Sequence, residues 1–162
     1  MTRTAPRELP DVGAVLAGVL ARVARAEQPL LIAIAERMAA DRYRGWAAEV
    51  SDAGHRAQLQ ACADREETIA RHVESLFPDA DVIQRDLRAK HPDLVEINRR
   101  LFADRPLYDQ FAIQARGERL GSATWQAFAR ESRGAAQQTF LTCAGLEERS
   151  AEVLETILAA GR

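Results

Sequence analysis

The sequence predicts an all-α protein on three observations. Alanine occurs 31 times in 162 residues, among many Leu, Arg, Glu and Gln, all good helix formers. Glycine, proline, aromatic residues and β-branched runs are sparse, and no segment keeps the two-residue alternation of a half-buried strand. Apolar residues recur instead at three- and four-residue spacing, one face of a helix at a time.

Composition bounds the rest. The chain is 47% hydrophobic and 28% charged with a net charge of −2, which suits one domain over 1–162 with a sizeable core. The uncharged, mostly apolar stretch 12–21 is ten residues and too short for a membrane span. No charged-then-apolar leader is expected at the start. Near-neutral charge argues against a nucleic-acid binder, which carries a net basic footprint. The 22 basic residues are 21 Arg and the single Lys90, a compositional habit and not a site. Two cysteines make no disulfide framework, so a reducing cytoplasmic setting is expected.

The elements follow in order. Residues 1–10, polar with two prolines, should be a loose start. Asp11 can cap a helix over 11–26, where Val12, Val15, Leu16, Val19, Leu20 and Val23 form one face. Its Gly13, Ala17, Gly18 and Ala21 permit close approach, either over the other helices or in a dimer contact. Pro29 disfavours helix at Gln28 and sets a break near 27–28. A second helix is expected over 29–50 and a third, capped by Ser51 or Asp52, over 52–76. Phe77-Pro78-Asp79 stops the third. Two short helical patterns occupy 77–106, one on Val82 and Leu87, the other on Leu94, Ile97, Leu101 and Phe102, with His91-Pro92 between them. Long helices over 107–130 and 134–160 complete the chain. Two closely connected hairpins joined by a link of roughly thirty residues define a four-helix bundle with one long crossover and an extra N-terminal helix.

An internal repeat carries the functional argument. Cys62, Ala63, Glu66, Glu67, Ala70, Val73, Glu74 and Leu76 align without a gap, at an offset of 81, with Cys143, Ala144, Glu147, Glu148, Ala151, Leu154, Glu155 and Ile157. The two cysteines fall in register. The preceding helices align at an offset of 82: Ala33, Glu36, Arg37, Met38, Tyr43, Trp46 and Ala47 meet Ala115, Glu118, Arg119, Leu120, Trp125, Phe128 and Ala129. The halves read as two copies of one helical hairpin, burying their faces on one another about a pseudo-two-fold axis.

Glu36, Glu66, Glu118 and Glu147 each interrupt an apolar or weakly polar stripe, and no Arg or Lys lies on those four stripes. A buried unpaired carboxylate costs several kcal/mol or takes up a proton. Three outcomes are open: the four bind cations, they are protonated in pairs, or they lie on the surface. Two divalent ions would neutralise four carboxylates, and oxygen ligands suit Fe, Mn, Mg or Ca.

One glutamate on each of two helices, with a Glu-Glu run on each of two others, resembles the dimetal carboxylate pattern of the ferritin-like superfamily. The segment Glu147-Glu148-Arg149-Ser150, then Leu154-Glu155-Thr156, is most similar to the last bundle helix of bacterioferritins and rubrerythrins. The resemblance covers about 29–160 and implies Glu36, Glu66, Glu118 and Glu147 as metal ligands for Fe or Mn. The family's histidines would fall at Ile69 and Ser150, so both imidazoles are missing and the site is altered. His72 lies on the wrong face, His55 is about 16 Å along the axis from Glu66, and His91 is in the crossover.

The neighbours have plainer readings. Glu67 and Glu148 read as boundary residues or second-layer bases, Glu74 and Glu155 as solvated positions. Cys62 and Cys143 read as small buried side chains, with a redox pair as the alternative. Tyr43 and Trp125 read as core caps, with electron relays as the alternative. The resulting expectation is a carboxylate-rich, histidine-poor dimetal protein handling Fe or Mn. It would form a homodimer and, if redox-active, use an external electron donor. The alternatives are a metal-free interaction or assembly module of the same fold, and an apolar pocket for a small organic ligand.

Overall fold

A computed structural model describes residues 8–161; residues 1–7 of the expected loose start, and Arg162, lie outside the described residues. The described residues form seven α-helices and no strand: α1 Val12–Leu20, α2 Gln28–Glu49, α3 Ala53–Glu74, α4 Ala80–Lys90, α5 Leu94–Phe102, α6 Leu107–Arg130 and α7 Gly134–Ala160. Among the described residues, no helix is long and apolar enough to cross a membrane. The described residues have an all-α fold, as composition and spacing predict.

Local chemistry explains most boundaries. Asp11 and Asp52 cap α1 and α3, accepting from the backbone N–H of Ala14 at 3.0 Å and His55 at 2.7 Å. Pro29 sits in the first turn of α2, where no amide donor is needed. The turn into α7 needs a positive φ of 59° at Gly134, which glycine adopts without strain. α6 and α7 match their expected bounds. α1 is shorter than the expected 11–26: it ends at Leu20, a single 3₁₀ turn spans Arg25–Glu27, and Val23 is buried. The Gln28 side chain donates to the carbonyls of Leu20 and Val23, tying the start of α2 to the turn that follows α1.

The long helices α2, α3, α6 and α7 share a core divided into two apolar clusters. One holds Ile32, Ala33, Ile69, Val73, Trp125, Phe128, Phe140 and Cys143. The other holds Tyr43, Trp46, Ala47, Leu59, Cys62, Phe111, Leu154 and Ile157. The first gathers the starts of α2 and α7 with the ends of α3 and α6; the second gathers the opposite ends. Helices within each hairpin are therefore antiparallel, and repeat-equivalent residues sit at opposite ends. Trp125 stacks on Phe140 at 5.8 Å, while Trp46 meets Tyr43 and Phe111 edge-on at 5.3 and 5.1 Å. A third cluster, Val23, Leu30, Leu31, Ile34, Ala80 and Leu87, fixes α4 against α2. α1 and α5 contact α6.

The repeat also organises the surface. Arg37 binds Glu67 and Glu74, each at 2.6 Å, and Arg119 binds Glu148 and, at 2.8 Å, Glu155. The two triads are repeat-equivalent, and each ties the two helices of one hairpin. Their partial exposure limits each pair to about 0–1 kcal/mol, whereas removing most of a fully buried leucine costs about 2–5 kcal/mol. Urea unfolding should therefore show Leu59→Ala losing about 2–5 kcal/mol and Arg119→Met losing no more than about 1 kcal/mol. The reverse ranking would mean that surface charge, and not the apolar core, holds the hairpins together.

Candidate functional site

Between the two apolar clusters lies a layer of carboxylates. Glu36 on α2, Glu66 on α3, Glu118 on α6 and Glu147 on α7 are all buried, with relative exposures of 7%, 0%, 1% and 1%. One carboxylate oxygen each from Glu36, Glu66 and Glu147 lies within 4.8 Å of the other two. Glu118 is not in that set of three. Its Oε1 accepts from the Tyr43 hydroxyl at 2.5 Å and from Gln114 Nε2 at 2.8 Å, while its Oε2 has no partner. Glu147 Oε1 accepts from Trp125 Nε1 at 2.8 Å. Both oxygens of Glu66 are buried and accept from no amide, hydroxyl or ring donor, their polar neighbour being the Glu36 carboxyl.

Helical periodicity produces the convergence. Each glutamate lies one turn from small buried residues on its own helix, Cys62 and Ala70 beside Glu66, Cys143 and Ala151 beside Glu147. Small neighbours allow the helices to approach and the longer carboxyl arms to meet. Gly121 contributes an opening: a Cβ there would stand 2.6 Å from Glu147 Oε1. A bare backbone at this point leaves room for the Glu147 carboxyl.

Burial dominates the electrostatics. It pushes the Glu66 and Glu147 carboxyls well above their ordinary value of 4.5, and the neighbouring carboxylates push them further. Glu36 is raised by the same burial, partly offset by hydrogen bonding to Glu66. The Tyr43 phenol is raised by burial and by the Glu118 charge, so its proton is firmly held.

The other singled-out residues divide clearly. Ile69 and Ser150 are fully buried beside the layer, so no imidazole occupies either position. Ser150 Oγ accepts from Arg65 Nε at 3.0 Å, and Arg65 also donates to Cys62 Sγ at 3.1 Å. His72 is exposed, His55 sits by the α3 cap, and His91 contacts Arg22 at 3.1 Å. Glu67 and Glu148 are engaged by Arg37 and Arg119. Glu74 and Glu155, expected to be simply solvated, are bound by the same arginines. Cys62 and Cys143 are free, buried thiols in different clusters. Burial raises both, Cys143 to about 12, which suits packing and not thiolate chemistry.

Sequence reasoning missed Arg42. Half-buried on α2, it donates to Asn98 at 2.8 Å and to Gln114 at 3.1 and 3.0 Å, and stacks 3.8 Å over Phe102. Burial lowers it to about 10, opposed by Tyr43, Glu118, Glu66 and Glu36. Its charge thus reaches the layer through Gln114. Arg42 is one residue from Tyr43 and off the stripe, so helical spacing carries no signal for it. Gly121 had a faint signal, since the offset of 82 pairs it with Ala39.

Comparison with protein-family models, curated proteins and solved structures finds no match to this chain.

The raised carboxyls give the metal-free protein an unusual pH dependence. Its folded state holds these protons more tightly than the unfolded chain. That contribution is complete below about pH 4.5 and is lost as pH rises through the elevated values. Glu155, Asp93 and Glu131 act oppositely, because their arginine partners lower them. The urea midpoint of metal-free protein should rise as pH falls from about 8 to about 5, then drop in stronger acid as those pairs break. A midpoint that falls steadily from pH 8 downward would mean the buried carboxyls are not proton-loaded by folding.

Proposed function

We propose that this chain is a ferritin-like four-helix bundle, with α4 and α5 forming the crossover, whose inner carboxylates bind Fe or Mn. The observation that carries the reading is Glu66, fully buried with neither oxygen accepting from any donor but a neighbouring carboxyl. The unpartnered Glu118 Oε2 points to the same need for a positive ligand. Orphaned buried oxygens are rare because they are costly, and a cation relieves them without a donor from the protein. The donor set fits: it is all oxygen, closely gathered, and matched to hard divalent ions.

The roles divide among the four. Glu36, Glu66 and Glu147 would hold the ion or ions, with Glu118 completing the set through Oε2. Trp125 fixes the direction of Glu147, and Tyr43 with Gln114 fixes Glu118, leaving one oxygen of each free of those donors. Bound Fe or Mn would supply a centre able to exchange electrons with O₂ or peroxide. Tyr43 keeps its hydroxyl proton on the hydrogen bond to Glu118. The apolar clusters on either side keep bulk water out. Arg42, anchored on Gln114, partly balances the negative layer from outside.

Metal content of protein purified without chelator tests this directly, alongside melts with Mn(II) or, anaerobically, Fe(II). A cation binding only the folded state at a hundred times its Kd should raise Tm by about 5–10 °C. Glu66→Gln should abolish that rise and, by removing a group that must take up a proton to be buried, stabilise the metal-free protein near neutral pH by about 1–3 kcal/mol. Glu67→Gln, whose parent carboxylate is engaged by Arg37, should keep the metal response. Gly121→Ala should weaken metal binding by about 10–100-fold by displacing the Glu147 carboxyl. The absence of bound metal and of any Tm rise would remove the metal reading and leave an interaction or assembly module.

A further inference from the structure

The face of α2 and α6 that α1 and α5 cover is not tightly packed. A partly enclosed cavity of about 170 Å³ lies between these four helices. Val15, Leu16 and Val19 of α1 and Leu94, Ile97 and Leu101 of α5 line its outer side. Its inner wall is α2 and α6, and there it meets Glu36, Glu118 and Glu147. Glu147 is the only α7 residue on the lining; it reaches the cavity past the bare backbone of Gly121, while Glu66 lies behind it. No residue of α1 is buried, although its Val and Leu side chains face inward onto the lining. A helix whose apolar stripe faces an open space covers it without filling it.

We propose that this cavity is the substrate chamber of the metal centre and takes a small, neutral, apolar molecule. The chamber role rests on the metal reading; the binding of an apolar molecule does not. Size sets the first limit: engineered apolar cavities of about 150 Å³ accept benzene, so a ring or short chain of about six to eight heavy atoms fits. Charge sets the second. The carboxylates would repel an anion, and the Arg42 guanidinium is engaged by Asn98, Gln114 and the Phe102 ring. A cation would compete with metal for the glutamates. A neutral apolar body is left, with Asn98 and Thr124 on the lining able to meet one polar group.

Toluene is a suitable probe. In metal-free protein it should shift the methyl NMR signals of Val15, Leu16, Leu94 and Leu101, and leave core methyls such as Leu59 and Leu154 unmoved. Gly117 also lines the cavity, and a Cβ there meets nothing within 4 Å. Gly117→Leu should fill the space and weaken toluene binding at least about tenfold while keeping the Mn(II) melt response; Thr124→Leu serves if that variant does not fold. With Mn(II) loaded, the relaxation of bound toluene protons should be strongly enhanced. Unmoved cavity methyls, or equal binding by a folded filled variant, would overturn the proposal. Toluene bound without relaxation enhancement beside loaded Mn(II) would overturn the chamber role. Methyl shifts that follow protein concentration alone would assign the cavity to a second copy of the chain and overturn it as well. Failure of Mn(II) to bind is read separately from the melt, so loss of the metal reading and loss of the apolar site remain distinguishable.

Discussion

The interior is arranged around four buried carboxyl groups, none of them in an ion pair with a cation of the polypeptide. An apolar cluster lies on each side of the layer. Three neutral donors, Tyr43, Gln114 and Trp125, reach two of the carboxyls, and none reaches Glu66. An isolated ionised carboxylate in such surroundings costs far more than the hydrogen bonds recover. The layer is stable only when it takes protons or a metal ion, and this single condition links folding, pH response and ligand binding.

The arginines make the same point by where they go. Arg37 and Arg119 stand one residue after Glu36 and Glu118, yet both turn outward to bind glutamates of the adjoining helix. Arg65 stands one residue before Glu66 and is held by Ser150 and Cys62. Arg42 stops at Gln114. Each positive group near the layer is occupied elsewhere, which keeps the carboxylates available.

Pseudo-symmetry accounts for the ion-pair triads and the matched cysteines, and its breaking accounts for the site. Ile69 faces the layer from one half and Ser150 from the other. Gln114 replaces Ile32, and the Trp125 indole replaces the Tyr43 hydroxyl as donor. α1 and α5 cover only the α2–α6 face, and the cavity lies there. On the opposite side α3 packs directly on α7. One face of the layer is closed by helix packing, and the other opens toward an apolar space.

Much of this was legible in the chain itself. Periodicity located the helices, because apolar burial repeats with the turn of the helix. The gapless repeat paired Glu66 with Glu147, a weaker match at a second offset paired Glu36 with Glu118, and all four are buried. Less was legible where long side chains choose among partners. Glu74 and Glu155 were expected to be solvated, yet guanidinium groups from the neighbouring helix hold them. Arg42 lies off the stripe and still reaches the layer through Gln114, which no spacing rule encodes. The sequence by itself determined helical content, hairpin order and which acids share a stripe with apolar residues, since these depend on residue type and a fixed helical period. Only the tertiary structure decided that Glu36, Glu66 and Glu147 gather while Glu118 is held by Tyr43 and Gln114, and that α1 covers a cavity without filling it. Those outcomes depend on interhelical distance and side-chain reach, quantities that exist only once the helices have packed.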